Sequence, residues 1–135
     1  MLYFAYGSNL NKKQMKNRCP DSVPVVKVIL KNYKLVFNYF ADVVETPGEI
    51  VYGAVYDVSN SDIRKLNRYE GYPRHYDIIN IKVEDDEGKA YKAFAYVMTS
   101  KGIREPEEHY YNIIKHGFKD WNLPLEKLMN ARKLI

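Results

Sequence analysis

The chain has 135 residues, ordinary apolar and charged fractions, and a single cysteine, Cys19. That is one domain's worth of sequence, able to bury a core without staples, and one cysteine excludes an internal disulfide framework. The net charge of +4 gathers early, in Lys12, Lys13, Lys16, Arg18, Lys27, Lys31 and Lys34 against Asp21 alone, and reads as a solvated face with a mild pull on anionic small molecules.

Met1–Ala5 is a short apolar run that fits a buried strand. Tyr6-Gly7-Ser8-Asn9 is turn chemistry, and Asn9 or Asn11 can cap a short helix through Asn17. Val25–Leu30 and Tyr33–Phe40 are two predicted strands broken at Lys31-Asn32. Thr46-Pro47-Gly48 is a turn, and Ile50–Val58 a strand with Ile50, Tyr52, Ala54 and Tyr56 on one face. Ser59-x-x-Asp62 resembles a capping box and opens a helix to about Tyr69. Tyr76–Glu84 alternates, with Ile79, Ile81 and Val83 inward, and Asp85-Asp86-Glu87-Gly88 turns it into the return strand Lys89–Met98. Pro106 suits the first turn of a helix ending near Gly117, and Leu125, Leu128 and Ala131 mark a last short helix. About six strands joined by short turns, with three or four helices, predict one α+β domain around a mostly antiparallel, barrel-like sheet.

Two segments carry candidate chemistry. At Tyr6-Gly7-Ser8-Asn9 a strand enters a glycine turn and then a helix, where backbone N–H groups can converge on an anion. Gly7 there permits a positive φ and close approach of a ligand, and Ser8 and Asn9 add side-chain donors. At Tyr69-Glu70-Gly71-Tyr72 a carboxylate sits at a helix C-terminus, where the dipole opposes it. Burial among Tyr69, Tyr72 and Tyr76 raises such a pKa toward neutrality, which suits a general acid/base. His75, His109 and His116 have no metal-site spacing, and Cys19 reads as an idle thiol. No apolar run spans a bilayer and no N-terminal stretch reads as a signal peptide, so a soluble, cytoplasmic protein with neither membrane nor nucleic-acid partner is expected.

Tyr6-Gly7-Ser8-Asn9-Leu10 followed downstream by Glu70-Gly71-x-Pro73-x-x-Tyr76 resembles the gamma-glutamylcyclotransferase superfamily. Thr46-Pro47-Gly48-Glu49 with Val51–Val55, Tyr96-Val97-Met98-Thr99, and Pro106-x-x-x-Tyr110-x-x-Ile113-Ile114-x-x-Gly117 with Leu123-Pro124 extend the resemblance over nearly the whole chain. The resemblance implies a substrate-binding strand and loop of Tyr3, Phe4, Ala5, Tyr6, Gly7, Ser8 and Asn9. It implies Glu70 as catalytic acid/base, Tyr110 reaching the glutamyl group, and Tyr76 beside it. Its activity would convert a gamma-glutamyl amino acid to 5-oxoproline and a free amino acid, without metal or cofactor. The longer members are dimers; Phe37–Val44 and the C-terminus look shorter here, which leaves a homodimer open. Two alternatives remain at this level: a gamma-glutamylamine cyclotransferase acting on gamma-glutamyl-lysine, and a basic, tyrosine-rich module for single-stranded nucleic acid.

Overall fold

The computed structural model describes residues 1–133. Its elements run β1 (Leu2–Ala5), a 3-10 turn (Ser8–Leu10), α1 (Lys12–Arg18), β2 (Val23–Asn38) and β3 (Phe40–Asp57), then α2 (Asn60–Glu70), β4 (Tyr76–Glu84), β5 (Ala90–Met98), α3 (Glu108–Asp120) and α4 (Leu125–Lys133). The strands close into a barrel in the order β1-β3-β2-β4-β5. Every pairing is antiparallel except the closure, where β1 runs parallel to β5 through Tyr3 and Phe94. This is the expected α+β, mostly antiparallel barrel, with five strands in place of about six.

The difference lies in one hairpin. The two strands expected on either side of Lys31-Asn32 are a single strand, β2, and the turn expected at Thr46-Pro47-Gly48 is an outward excursion inside β3. β2 advances from Lys31 to Tyr33 while β3 falls from Ile50 to Glu45. Asn32 takes a φ of 67° and accepts a hydrogen bond from the Gly48 N–H at 3.0 Å. Asn tolerates that conformation and its side chain satisfies the freed donor, so the irregularity bends the hairpin without ending it. The chain reverses instead at Tyr39, at φ 64°, between the paired residues Asn38 and Phe40. Asn38 is the one local turn former, and its side chain is used to tie the bend to the 100–105 segment. Tyr39 N–H donates to the Arg104 carbonyl at 3.1 Å, and Asn38 Nδ2 to the Ser100 carbonyl at 3.0 Å.

Residues 51–56 of β3 are buried on both faces apart from half-buried Tyr52. β3 lies between β1 and β2, and its Tyr56 ring meets Trp121, the C-cap residue of α3, edge-on at 5.6 Å. Tyr56 Oη and Trp121 Nε1 both donate to the Leu10 carbonyl, at 3.4 and 2.9 Å. Helix α3 begins after Pro106 and runs past Gly117 to Asp120. Gly117 is a point of close packing and not a terminus: a Cβ there would meet Asn11 N and Leu10 Cβ at 2.6 Å. The helix thereby braces the turn that follows β1. Among the described residues no helix is long and apolar enough to cross a membrane.

Candidate active site

The 3-10 turn, the β2–β3 hairpin tip, the C-terminus of α2, the end of β5 and the start of α3 surround a cavity of about 480 Å³. Tyr3, Tyr6, Gly7, Ser8, Asn9, Glu70, Tyr76 and Tyr110 line it. Of the candidate residues, Phe4 and Ala5 do not. Both are buried, and the Phe4 ring packs over Gly53, where a Cβ would sit 2.5 Å from Cε1. Strand alternation separates Phe4 from Tyr3, so Phe4 serves the barrel core.

Glu70 is set by both ends of α2. Ser59 and Asp62 form the complete capping box, with Asp62 N–H to Ser59 Oγ at 3.1 Å and Ser59 N–H to Asp62 Oδ2 at 3.2 Å. Gly71 closes the helix at φ 65°, and the following N–H groups of Gly71 and Tyr72 return to the Arg68 and Asn67 carbonyls. A Cβ at Gly71 would strike the His75 ring at 2.7 Å, so the sharp exit is available to glycine. The Glu70 carboxyl forms no ion pair among the described residues. Burial pushes its pKa up to about 7, and the Arg18 guanidinium pulls against that rise. A free carboxyl with that affinity takes or gives a proton near neutrality.

Gly7 has φ −119°, so its freedom to take a positive φ is not used. Close approach is what requires glycine: a Cβ would lie 3.1 Å from Ala41 Cβ and 3.6 Å from Tyr110 Oη. The Leu10 and Asn11 N–H groups close the turn onto the Gly7 and Ser8 carbonyls, while those of Gly7, Ser8 and Asn9 take no backbone partner in the described turn. Asn11, not Asn9, caps α1, accepting from Gln14 N–H at 3.0 Å. Asn9 turns inward and donates to Tyr3 Oη at 3.0 Å.

The hairpin tip joins the two tyrosines. Ala41 N–H donates to Tyr110 Oη at 2.9 Å, and Tyr76 Oη donates to the Ala41 carbonyl at 3.0 Å. Burial holds both phenols above their ordinary pKa, as it does those of Tyr3, Tyr6 and Tyr96. All five are neutral donors or acceptors near pH 7. Phe40, whose ring meets Tyr110 edge-on at 5.3 Å, Tyr96, Met98, Thr99 and Ser100 also line the cavity and were not singled out from sequence. Tyr96–Thr99 carried a signal in the family-like strand end, but nothing local gave those residues a role. Asp42, buried behind the wall, is occupied by Val43 N–H, Met98 N–H and Lys101 Nζ, each at 2.9 Å. Cys19 is buried and its thiol is pushed up to about 11, consistent with an idle sulfur. Among the described residues no cluster of three or more His, Cys, Asp or Glu could hold a metal ion.

Residues 3–122 match the family described as gamma-glutamyl cyclotransferase, AIG2-like. Gamma-glutamylcyclotransferase of Mus musculus is 34% identical over 93% of this chain and 73% of its own length. The Homo sapiens protein of the same name is 33% identical over the same shares. A solved gamma-glutamyl cyclotransferase structure superposes with a TM-score of 0.89 at 30% identity, covering 97% of this chain and 85% of that one.

Proposed function

From the premise that the chain belongs to the gamma-glutamyl cyclotransferase, AIG2-like family, we propose that it closes the glutamyl group of short gamma-glutamyl amino acids into 5-oxoproline, with Glu70 as acid/base. Cyclotransferase activity is supported by the curated relatives of that name, which match over 93% of the chain. The assignment of the chemistry to Glu70 rests on one observation: a carboxyl without an ion pair, raised by burial to about 7, in the cavity shared with the Gly7-Ser8-Asn9 turn.

The substrate's α-amine attacks its own γ-carbonyl carbon. The new C–N bond closes the five-membered ring, the bond to the leaving nitrogen breaks, and no water is consumed. Tethering the nucleophile removes much of the entropic barrier; well-oriented tethered reactions gain on the order of 7–11 kcal/mol. A free α-ammonium has a pKa of about 8. Glu70 as carboxylate takes its proton and returns one to the leaving nitrogen. The N–H groups of Gly7, Ser8 and Asn9 face an anionic part of the substrate, and neutral Tyr3, Tyr76 and Tyr110 bound the glutamyl group.

The preference for an amino-acid leaving group is argued from charge. Glu70 is the one acidic lining residue among those described, while Arg68 and His75 bring basic groups to the same wall. A leaving group's carboxylate has partners there; the extra ammonium of a lysine leaving group has no acidic partner apart from Glu70, since Asp42 is already occupied. A charge contact with such exposed partners is worth up to about 1 kcal/mol, so the preference is graded. The test measures kcat/KM for gamma-glutamyl-alanine, gamma-glutamyl-lysine and glutathione, reading 5-oxoproline. The first is expected highest. A clear win for either larger substrate overturns the leaving-group assignment, and no 5-oxoproline from any overturns the activity.

A further inference from the structure

Arg18 ends α1 and is half-buried, yet it lies outside the cavity lining and forms no ion pair among the described residues. Its contacts are instead with two parts of the site. The guanidinium carbon stands 3.3 Å from the centroid of the Tyr69 ring, in the residue before Glu70. Its Nη1 donates to Asn9 Oδ1 at 2.5 Å, and Asn9 Nδ2 donates onward to Tyr3 Oη at 3.0 Å. One side chain therefore connects the end of α2 to the turn after β1, elements that are separate in sequence. We propose that Arg18 is a positioning residue of the cyclisation site, clamping the Glu70 segment to the Gly7-Ser8-Asn9 turn through Tyr69 and Asn9 and setting a permanent cation beside the carboxyl. The proposal rests on the reading of Glu70 as acid/base.

The choice of arginine follows from geometry. A planar guanidinium can lie on an aromatic face and still direct an N–H sideways to a carbonyl oxygen; an ammonium gives up one contact to keep the other. Its charge is the one that opposes the burial of Glu70. Tyr3 and Tyr6 from the first strand and its turn, Tyr76 from β4, Tyr96 from β5 and Tyr110 from α3 face Glu70 as neutral phenols. Asp42 of β3 spends its charge on Lys101. Arg68 and His75 belong to the segment of Glu70 itself and are exposed. Arg18 favours the carboxylate, against burial, so its removal drives Glu70 toward the protonated form.

The experiment titrates the Glu70 side-chain carboxyl by 13C NMR in the wild type, Arg18→Gln and Arg18→Lys, beside pH profiles of kcat/KM. In Arg18→Gln the Glu70 midpoint and the acid limb of the profile are expected to move up by about half a unit or more. At pH 7 kcat should fall about tenfold with KM little changed, as a misplaced acid/base costs turnover more than binding. Arg18→Lys should keep the midpoint near the wild type but lose part of kcat. A Glu70 midpoint unmoved in Arg18→Gln overturns the proposal. Should Arg18→Gln fail to fold, Tyr69→Leu removes the stacking face: reduced kcat with an intact melting transition supports the clamp, and unchanged kcat overturns it. The NMR titration needs no turnover, so a wild type that makes no 5-oxoproline would refute the activity while leaving Arg18 to be judged on its own.

Discussion

At the scale of the residue, Glu70 couples activity to stability through one proton. Its pKa is about 7 folded against about 4.5 for the free side chain. Between those values the folded state holds the proton more tightly than the unfolded state, so stability falls as pH rises and the full cost is present above about 7. At 1.36 kcal/mol per unit, that cost is on the order of 3 kcal/mol. Glu70→Gln keeps the shape and never ionises. It should lose roughly 10²–10⁴-fold in kcat, and yet melt above the wild type at pH 8, the gap closing toward pH 4.5. Near-wild-type turnover in the variant, or a melting difference independent of pH, would contradict the role or the burial in turn. In the wild type the acid limb of kcat/KM should have its midpoint near 7.

At the scale of the element, α2 is a lever with a cap at one end and the acid/base at the other. Ser59→Ala removes the capping box far from the cavity and should cost about 1 kcal/mol of stability with kcat unchanged. Gly71→Ala puts a Cβ at φ 65°, 2.7 Å from the His75 ring, and must unwind the exit beside Glu70. It should cost about 1–3 kcal/mol in stability and lower kcat as well. Thermal melts and steady-state kinetics on the two variants separate a cap that only stabilises from one that also aims a side chain; equal kinetics in both would refute the distinction. This helix was legible in advance because its signals are local: Ser59, Asp62 and Gly71 each act within one turn of their own position. The hairpin was not. Asn32 and Gly48 look like two loop residues until pairing brings them together, and the bend at Tyr39 depends on Arg104, far along the chain.

At the scale of the molecule, the closed barrel sets the separation of the turn, the hairpin tip and α2 around the cavity. Gly53 packs tightly under β1: a Cβ there would meet the Ala5 carbonyl and the Phe4 ring. Gly53→Val should destabilise the whole fold by about 1–3 kcal/mol by overpacking, with activity per folded molecule retained; a selective loss of kcat without a drop in melting temperature would show that the packing of β3 on β1 tunes the site directly. The proposed chemistry needs no Lewis acid, so dialysis against a chelator should leave 5-oxoproline formation unchanged. Activity lost on chelation and restored by a divalent ion would overturn that expectation.

The amino-acid sequence alone determined what nearest neighbours and periodicity control: the strand into Gly7, the capping box, the Gly71 exit that strands Glu70 at a helix end, and the β4–β5 hairpin. Its motifs, by resemblance, pointed to the family. Only the tertiary structure decided that Phe4 faces the core while Tyr3 faces the cavity, that Ala41 bonds both Tyr76 and Tyr110, and that Arg18 leaves the basic face to stack on Tyr69. The reason is physical. A cap or a turn is satisfied by atoms a few residues away, whereas a guanidinium finds its aromatic face, and a phenol its carbonyl, only after the barrel has closed and brought distant segments within hydrogen-bonding reach.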